Sequence, residues 1–219
     1  MQEQFDLFGE PEEKPAVKEE KKPEPPVSTD RGKQSHRVLY FDLETQKSAD
    51  EVGGWGNIHL MKLAVGVVWD SLEQKHFTYL EDEAGKLIDK LKTADLVVGF
   101  NVIGFDYTVL QPESSFDLHD LTTFDMLVDV KQKLGFRLSL DHLAGQTLNA
   151  KKSADGLTSL KWYKEGKIDQ IVEYCIQDVN VTRDLFLFGE ENGFVRYLSR
   201  SGKAMTLDVD WKTEKIIGK

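Results

Sequence analysis

Cysteine is all but absent: the 219-residue chain holds one, Cys175. A single thiol excludes an intrachain disulfide, which suits a reducing compartment, and the expected localisation is cytoplasmic. No apolar run is long enough to span a bilayer, and the acidic N-terminus is unlike a signal or transit peptide, so no membrane partner is expected. Basic residues are in deficit, 28 Lys and Arg against 38 Asp and Glu, for a formal net charge of −10. By whole-chain charge this disfavours nucleic-acid binding and points to an acidic enzyme of small molecules. A carboxylate cluster holding metal ions would reverse that reading, because the ions cancel negative charge where a phosphate must sit. Phosphate-cradling glycine loops are missing as well. GGWGN, residues 53–57, lacks the dinucleotide and Walker patterns and reads as a flexible loop. The histidines His36, His59, His76, His119 and His142 show no metal-ligand spacing, and His142 reads as a helix-surface residue.

What is present divides unevenly along the chain. Residues 9–36 are rich in Pro, Glu and Lys, with only Val17 and Val27 as aliphatic residues larger than Ala. Such a stretch buries too little apolar surface to offset chain entropy, so residues 1–36 are expected to be a disordered tail. The globular domain is expected over 37–211, with a short C-terminal tail at 212–219. The tail to His36 carries nine acidic and six basic residues, leaving about −7 of the −10 for the domain.

Apolar runs at 37–44, 62–70, 75–80 and 95–100 predict strands, the first ones forming a meander. DEAGKLIDKLK (82–92) places Leu87, Ile88 and Leu91 on one helical face, and a short helix is expected around 105–110. TFDMLVDVKQKLG (123–135) reads as a strand end passing into a helix, with Asp125 as N-cap and Gly135 as stop. Ser139 caps a helix over 139–148. The longest helix spans 167–193, where Ile168, Ile171, Cys175, Val179, Thr182 and Phe186 recur at spacings of three and four. FVRYLSRSGKAMTLDVDW (194–211) predicts a hairpin turning at Ser201-Gly202. The fold class is α/β with a mixed central sheet.

Four carboxylates stand at informative places. Asp42 and Glu44, in YFDLET, are two residues apart on the first strand, so both project from one face while Leu43 faces the other way. Asp106 follows a strand in GFNVIGFD, where a helix begins. Asp178 lies on the long helix, with Tyr174 one turn earlier on the same face. Packed carboxylates repel and are costly to desolvate without a cation. Hard oxygen ligands suit Mg²⁺ or Mn²⁺, and four of them can hold two such ions roughly 4 Å apart for in-line phosphoryl transfer. Taken alone, each element reads rather as a solvated or helix-surface carboxylate, and Asp117, Asp120, Asp125 and Asp129 read as caps or surface; the ordered set is what differs.

FDLET, FNVIGFD and YCIQD in that order resemble the DEDD superfamily of 3′–5′ exonucleases, which have an RNase H-like fold. The resemblance runs from about Arg37 to Phe188. Glu173 stands where the histidine subtype carries its histidine, and Tyr174 marks the tyrosine subtype. SADGLTSLKWYKEGKIDQIVEYCIQDV further resembles the YprB-type branch, bacterial domains sometimes attached to helicases. The resemblance implies that Asp42, Glu44 and Asp178 hold one divalent ion, that Asp42 bridges to a second reached by Asp106, and that Tyr174 positions the attacking water. A phenol with its usual pKa of about 10 is a poor base at neutral pH, so metal coordination better explains activation of the water. The expected substrate is the 3′ end of single-stranded DNA. RNA trimming and a non-catalytic nucleic-acid-binding module remain as alternatives.

Candidate substrate contacts are Leu43, Thr45, Asn101, Trp55 and Lys161. Trp55 is expected either to stack on a terminal base or to pack in its own loop. Lys151, Lys152, Lys161 and Lys164, with Trp162 and Tyr163, form a basic aromatic stretch that either grips a phosphate backbone or is a solvated face. At the head of the tail, QFDLF resembles the bacterial sliding-clamp-binding pentapeptide. Gln4, Asp6, Leu7 and Phe8 match its pattern, and Phe5 replaces the usual Leu. The resemblance implies a clamp as partner and a role in DNA repair or replication.

Overall fold

The structure, a computed structural model, describes residues 36–150 and 156–218. The expected disordered tail up to Gln34 and Ser35, the pentapeptide at 4–8, and Lys151 and Lys152 lie outside the described residues. Five strands form the main sheet: β1 (Val38–Thr45), β2 (Leu63–Asp70), β3 (Lys75–Leu80), β4 (Leu96–Gly99) and β5 (Thr123–Asp125). Their order is β3-β2-β1-β4-β5. β1, β2 and β3 are the antiparallel meander, and β4 and β5 run parallel to β1. The sheet is therefore mixed, and helices flank it in the RNase H-like manner.

β1 occupies the centre because its first half is apolar on both sides, and Val38, Leu39, Tyr40 and Phe41 are all buried. The period of two divides these residues between two cores. Val38 and Tyr40 pack with Ile171, Cys175, Val179 and Phe186 of α6 (Ile168–Asn192). Leu39, Phe41 and Leu43 pack with Leu87, Ile88 and Leu91 of α1 (Ala84–Leu91) and with Tyr107 and Leu110 of α2 (Asp106–Leu110). Each such large side chain contributes roughly 1.5–3 kcal/mol of burial. The same alternation carries Asp42 and Glu44 onto the α6 side.

α3 (Met126–Leu134) starts at Asp125, whose side chain accepts from the N–H groups of Leu127 and Val128, and ends at Gly135 with φ 78°. α4 (Leu140–Leu148) is capped by Ser139, which accepts from His142 N–H. His142 does more than lie on the helix surface: its Nε2 accepts from Leu198 N–H at 2.9 Å. That bond helps fasten the hairpin of β6 (Phe194–Leu198) and β7 (Ala204–Asp208) to α4. Residues expected to be only a basic stretch form a further helix, α5 (Gly156–Lys164), and residues 213–217 form the short α7 (Thr213–Ile217).

Gly189 of α6 lets the C-terminal segment close the core. A Cβ there would run into the Trp211 ring, which stacks on Phe186 at 6.1 Å. Trp211 Nε1 donates to Asp129 at 2.9 Å, which satisfies its one polar group. Among the described residues, no helix is long and apolar enough to cross a membrane.

Candidate active site

Asp42 and Glu44 stand at the end of β1. The pairing of β1 with β2 slips between Glu44 and Thr45, and this irregularity ends the regular ladder beside the carboxylates. α6 crosses the same face and delivers Asp178. Carboxylate oxygens of Asp42, Glu44 and Asp178 all lie within 4.8 Å of one another.

Asp106 opens α2 and is only 3% exposed. Its Oδ1 accepts from Leu43 N–H at 3.1 Å, which fastens it to the strand between Asp42 and Glu44. The loop that presents it is held by the buried Asp125. One oxygen of Asp125 accepts from Asn101 N–H at 2.8 Å and the other from Ile103 N–H at 3.1 Å. Asn101 adopts φ 69°, a left-handed conformation that Asn tolerates better than most residues. Asp125 is thus both the expected helix cap and a clamp on the loop that leads to Asp106. Tyr174 hydrogen-bonds to Asp178 through its hydroxyl, and its ring meets Trp162 edge-on at 6.3 Å.

This much negative charge is not at rest. Burial pushes the Asp42 carboxyl well above the usual carboxylate range, and repulsion from Asp106, Asp178 and Glu44 pushes it further. Burial also raises Glu44, to about 8; Ser159 opposes this and Asp178 adds to it. Asp106 is raised chiefly by burial. Burial, then Asp178 and Glu44, drive the Tyr174 phenol up, so it stays protonated at neutral pH and acts as a donor.

The donor set fits a hard divalent cation. Three oxygen-bearing groups converge, Asp42 destabilised by Asp178 and Glu44, and Glu44 by Asp178, and a cation relieves all three together. A second observation agrees. Ser159 Oγ on α5 is fully buried and has no hydrogen-bond partner of good geometry, yet it lies near enough to Glu44 to favour the charged carboxylate. Cys175 also faces the cluster, its Sγ 3.4 Å from the Asp42 carbonyl and 3.7 Å from the Asp42 carboxylate.

A cleft of about 630 Å³ opens over the carboxylates, walled by Trp55, Phe105 and Leu157. Trp55 is 70% exposed and leans on Phe105 at 6.5 Å, so it is not packed away in its loop. Leu43, Thr45 and Asn101 also line the cleft. Leu43 is buried, and Thr45 Oγ1 donates to the Lys47 carbonyl at 3.0 Å. Lys161 is not among the residues lining it; its ammonium lies 3.9 Å from Glu165. Lys164 instead reaches Glu51 at 2.8 Å and borders a second groove with Tyr163 and Lys47.

Sequence reasoning missed three supporting groups: Ser159, Cys175 and the clamp made by Asp125. Cys175 had a signal, since it lies three residues before Asp178 on the same helix. Ser159 had none without α5 being read as a helix.

A mixed sheet with acids on its central strand defines a nuclease fold of the RNase H type. Residues 39–187 match the family RNase_H_2 of the RNase_H superfamily, and the chain belongs to that superfamily. It is also similar in structure to a family B DNA polymerase from the hyperthermophilic archaeon Pyrobaculum calidifontis. The TM-score is 0.51 at 18% identity, over 84% of this chain and 27% of the polymerase. The likeness is one of fold, and the chain spans little more than a quarter of the polymerase's length. No curated protein matches the sequence.

Proposed function

We propose that the chain is a metal-dependent 3′–5′ exonuclease of the DEDD tyrosine subtype, releasing nucleoside monophosphates from single-stranded DNA ends. The observation that carries this reading is the convergence of Asp42, Glu44 and Asp178 within 4.8 Å, with Asp106 fastened to the same strand. Asp42, Glu44 and Asp178 would hold one Mg²⁺ or Mn²⁺ ion, and Asp106 with Asp42 would serve a second. When bound, such ions activate water and stabilise charge on the attacking and leaving oxygens.

The chain's own groups do the rest. The Tyr174 hydroxyl, kept protonated and donating to Asp178, orients the water by accepting a hydrogen bond from it and is not the base. Asp125 holds the 101–103 backbone, so Asp106 meets the strand in one position. Trp55, Phe105 and Leu157 offer apolar surface to the terminal base and keep bulk water from the scissile phosphate. The resemblance to the YprB-type branch belongs to the same proposal, as do the catalytic assignment of residues 37–211 and a cytoplasmic site of action.

The test is end-labelled single-stranded DNA and RNA, each incubated with Mg²⁺, Mn²⁺ or chelator. A ladder shortening from the 3′ end on DNA, absent in chelator, is expected. Cleavage that persists in chelator sinks the metal-dependent reading, and a ladder on RNA alone replaces DNA with RNA as the substrate.

Recruitment through Gln4, Phe5, Asp6, Leu7 and Phe8 to a bacterial sliding clamp completes the proposal. Burying the three apolar side chains gives about 4.5–9 kcal/mol gross at roughly 1.5–3 each, set against ordering and association costs. A peptide of residues 1–10 should bind the clamp, and the same peptide with Leu7→Ala and Phe8→Ala should not; equal behaviour of the two refutes recruitment.

A further inference from the structure

Among the described residues, basic side chains elsewhere are largely held by acids, as in Lys90 with Asp70 at 2.7 Å and Lys164 with Glu51 at 2.8 Å. One surface departs from that pattern. Segments 130–140 and 194–207 contain six basic residues, of which Lys133 is held by Asp129 at 2.9 Å, and no acidic one. They meet in space: the Phe136 ring packs against Tyr197 at 6.4 Å, and the Arg200 guanidinium lies over Phe136 at 5.6 Å. Arg137 Nη2 is 3.4 Å from Asn101 Oδ1, and Asn101 lines the carboxylate cleft. Arg137, Arg200 and Lys203 are exposed, and among the described residues none of them is in an ion pair. Charge, half-buried rings and continuity with the cleft therefore coincide on one face.

We propose that the α3–α4 loop and the β6–β7 hairpin form a track for the nucleic-acid backbone that continues the cleft. On this track Arg137, Arg200 and Lys203 hold phosphates upstream of the 3′ end, while Phe136 and Tyr197 offer ring faces to the bases. The inference rests on the exonuclease reading for the polarity of the strand, but not for the binding itself. Guanidinium and ammonium groups free of acidic partners release counterions when a phosphate docks, which is the main source of affinity for single strands. Stacked arginine also keeps its planar fork open to a phosphate. β6 is five residues long, about 17 Å at 3.3 Å per residue, enough to extend the contact well past the terminal nucleotide. The hairpin supplies its own control. Strand alternation turns Arg196 to the opposite face, onto Phe188 and Phe194 at 5.9 and 5.2 Å.

The experiment measures binding of a single-stranded DNA 20-mer and a trinucleotide to the full chain in EDTA, across a series of NaCl concentrations. The variant Arg200→Gln/Lys203→Gln should lower 20-mer affinity roughly tenfold and make the log–log salt slope shallower by about 1.4, near 0.7 per lost phosphate contact. The ratio of 20-mer to trinucleotide affinity should fall with it. Arg200→Lys keeps the charge and should keep the slope, and Arg196→Gln should leave the slope unchanged. An unaltered slope in the double variant overturns the track, as does an equal loss in Arg196→Gln. A wild-type chain that binds the 20-mer with this salt dependence but releases no nucleotide with Mg²⁺ or Mn²⁺ overturns the exonuclease reading alone.

Discussion

Two acidic sites, one buried and one half-buried, lie at opposite ends of the β1–β2 pair. At one end Asp70 stands opposite Leu39; at the other Asp42 stands opposite Val67 and Glu44 opposite Val65. Asp70 is 0% exposed, yet its carboxyl lies below the usual range. Burial alone would raise it, but the hydrogen bond from Lys90, with those from the Glu73 and Leu72 N–H groups, outweighs that cost. Arg37 stands 3.7 Å away as a second cation. At the other end the neighbours of each acid are more acids, and the carboxyls are raised. A buried carboxylate with a lysine of its own is part of the scaffold. A half-buried carboxylate facing its own kind is set for a cation from solution.

The hardest test of that contrast is Asp42→Ala. It should slow single-turnover cleavage about 10³-fold or more, since several kcal/mol of transition-state stabilisation are lost. Urea unfolding in EDTA should show no loss of stability, because the change removes one of the mutually repelling charges. A large destabilisation in EDTA would make Asp42 a scaffold residue and break the comparison. Asp70→Ala should do the reverse. Losing the carboxylate leaves Lys90 with Glu73 at 3.0 Å but uncaps the Leu72 and Glu73 N–H groups, and should cost about 1–3 kcal/mol of stability, while kcat per folded molecule stays at the wild-type value. Folded protein that has lost its activity would show the two ends to be coupled.

Ser159→Ala should weaken Mn²⁺ binding roughly tenfold, read by titration, because a group that orients a ligand from behind is removed. The metal-free melting temperature should hardly move, as the hydroxyl has no formed bond to lose. Unchanged Mn²⁺ affinity would remove Ser159 from the site.

The smallest effect is in the pH dependence. Glu44 of the folded, metal-free chain titrates at about 8 against an ordinary 4.5, so the folded state keeps a proton that the unfolded chain releases in that window. Stability without metal should therefore fall as pH rises from 6 to 8. Asp70, with its depressed carboxyl, acts in the opposite sense: its contribution is present above the unfolded value and is lost only as pH falls through the folded one. Mg²⁺ should raise the melting temperature more at pH 8 than at pH 6, because protons compete for the same oxygens. A metal-free melting temperature that climbs from pH 6 to 8 would contradict the assignment.

Much of this was legible in the sequence where local rules govern. The period of two in FDLE put Asp42 and Glu44 on one face, and the helical spacing of Tyr174 and Asp178 did the same on α6. Caps at Asp125 and Ser139 and the turn near Ser201-Gly202 followed from side-chain chemistry. What stayed hidden depends on distant packing. Nothing local distinguishes Asp70, in a turn-prone stretch, from a surface acid, since its burial is set by Lys90 and Arg37 arriving from other elements. α5 escaped notice because its polar and apolar residues alternate too irregularly to show a face, and with it went Ser159. The hairpin was visible as a hairpin, but its contact with Phe136 joins residues about sixty positions apart and has no signature in either segment.

The chain's tryptophans sit in sharply different surroundings: Trp55 is 70% exposed at the mouth of the cleft, while Trp69 and Trp211 are 8% and 1% exposed in the core. The molecule therefore carries its own optical reporters, separated in colour. Light from Trp55 should be red-shifted and quenched when a base stacks on the indole; light from Trp69 and Trp211 should be blue and change only on unfolding. Trp162, edge-on to Tyr174, also faces the site; a Trp55→Phe/Trp162→Phe chain would be blind to substrate and still sighted for its own fold, so occupancy and integrity can be followed in one cuvette without a dye.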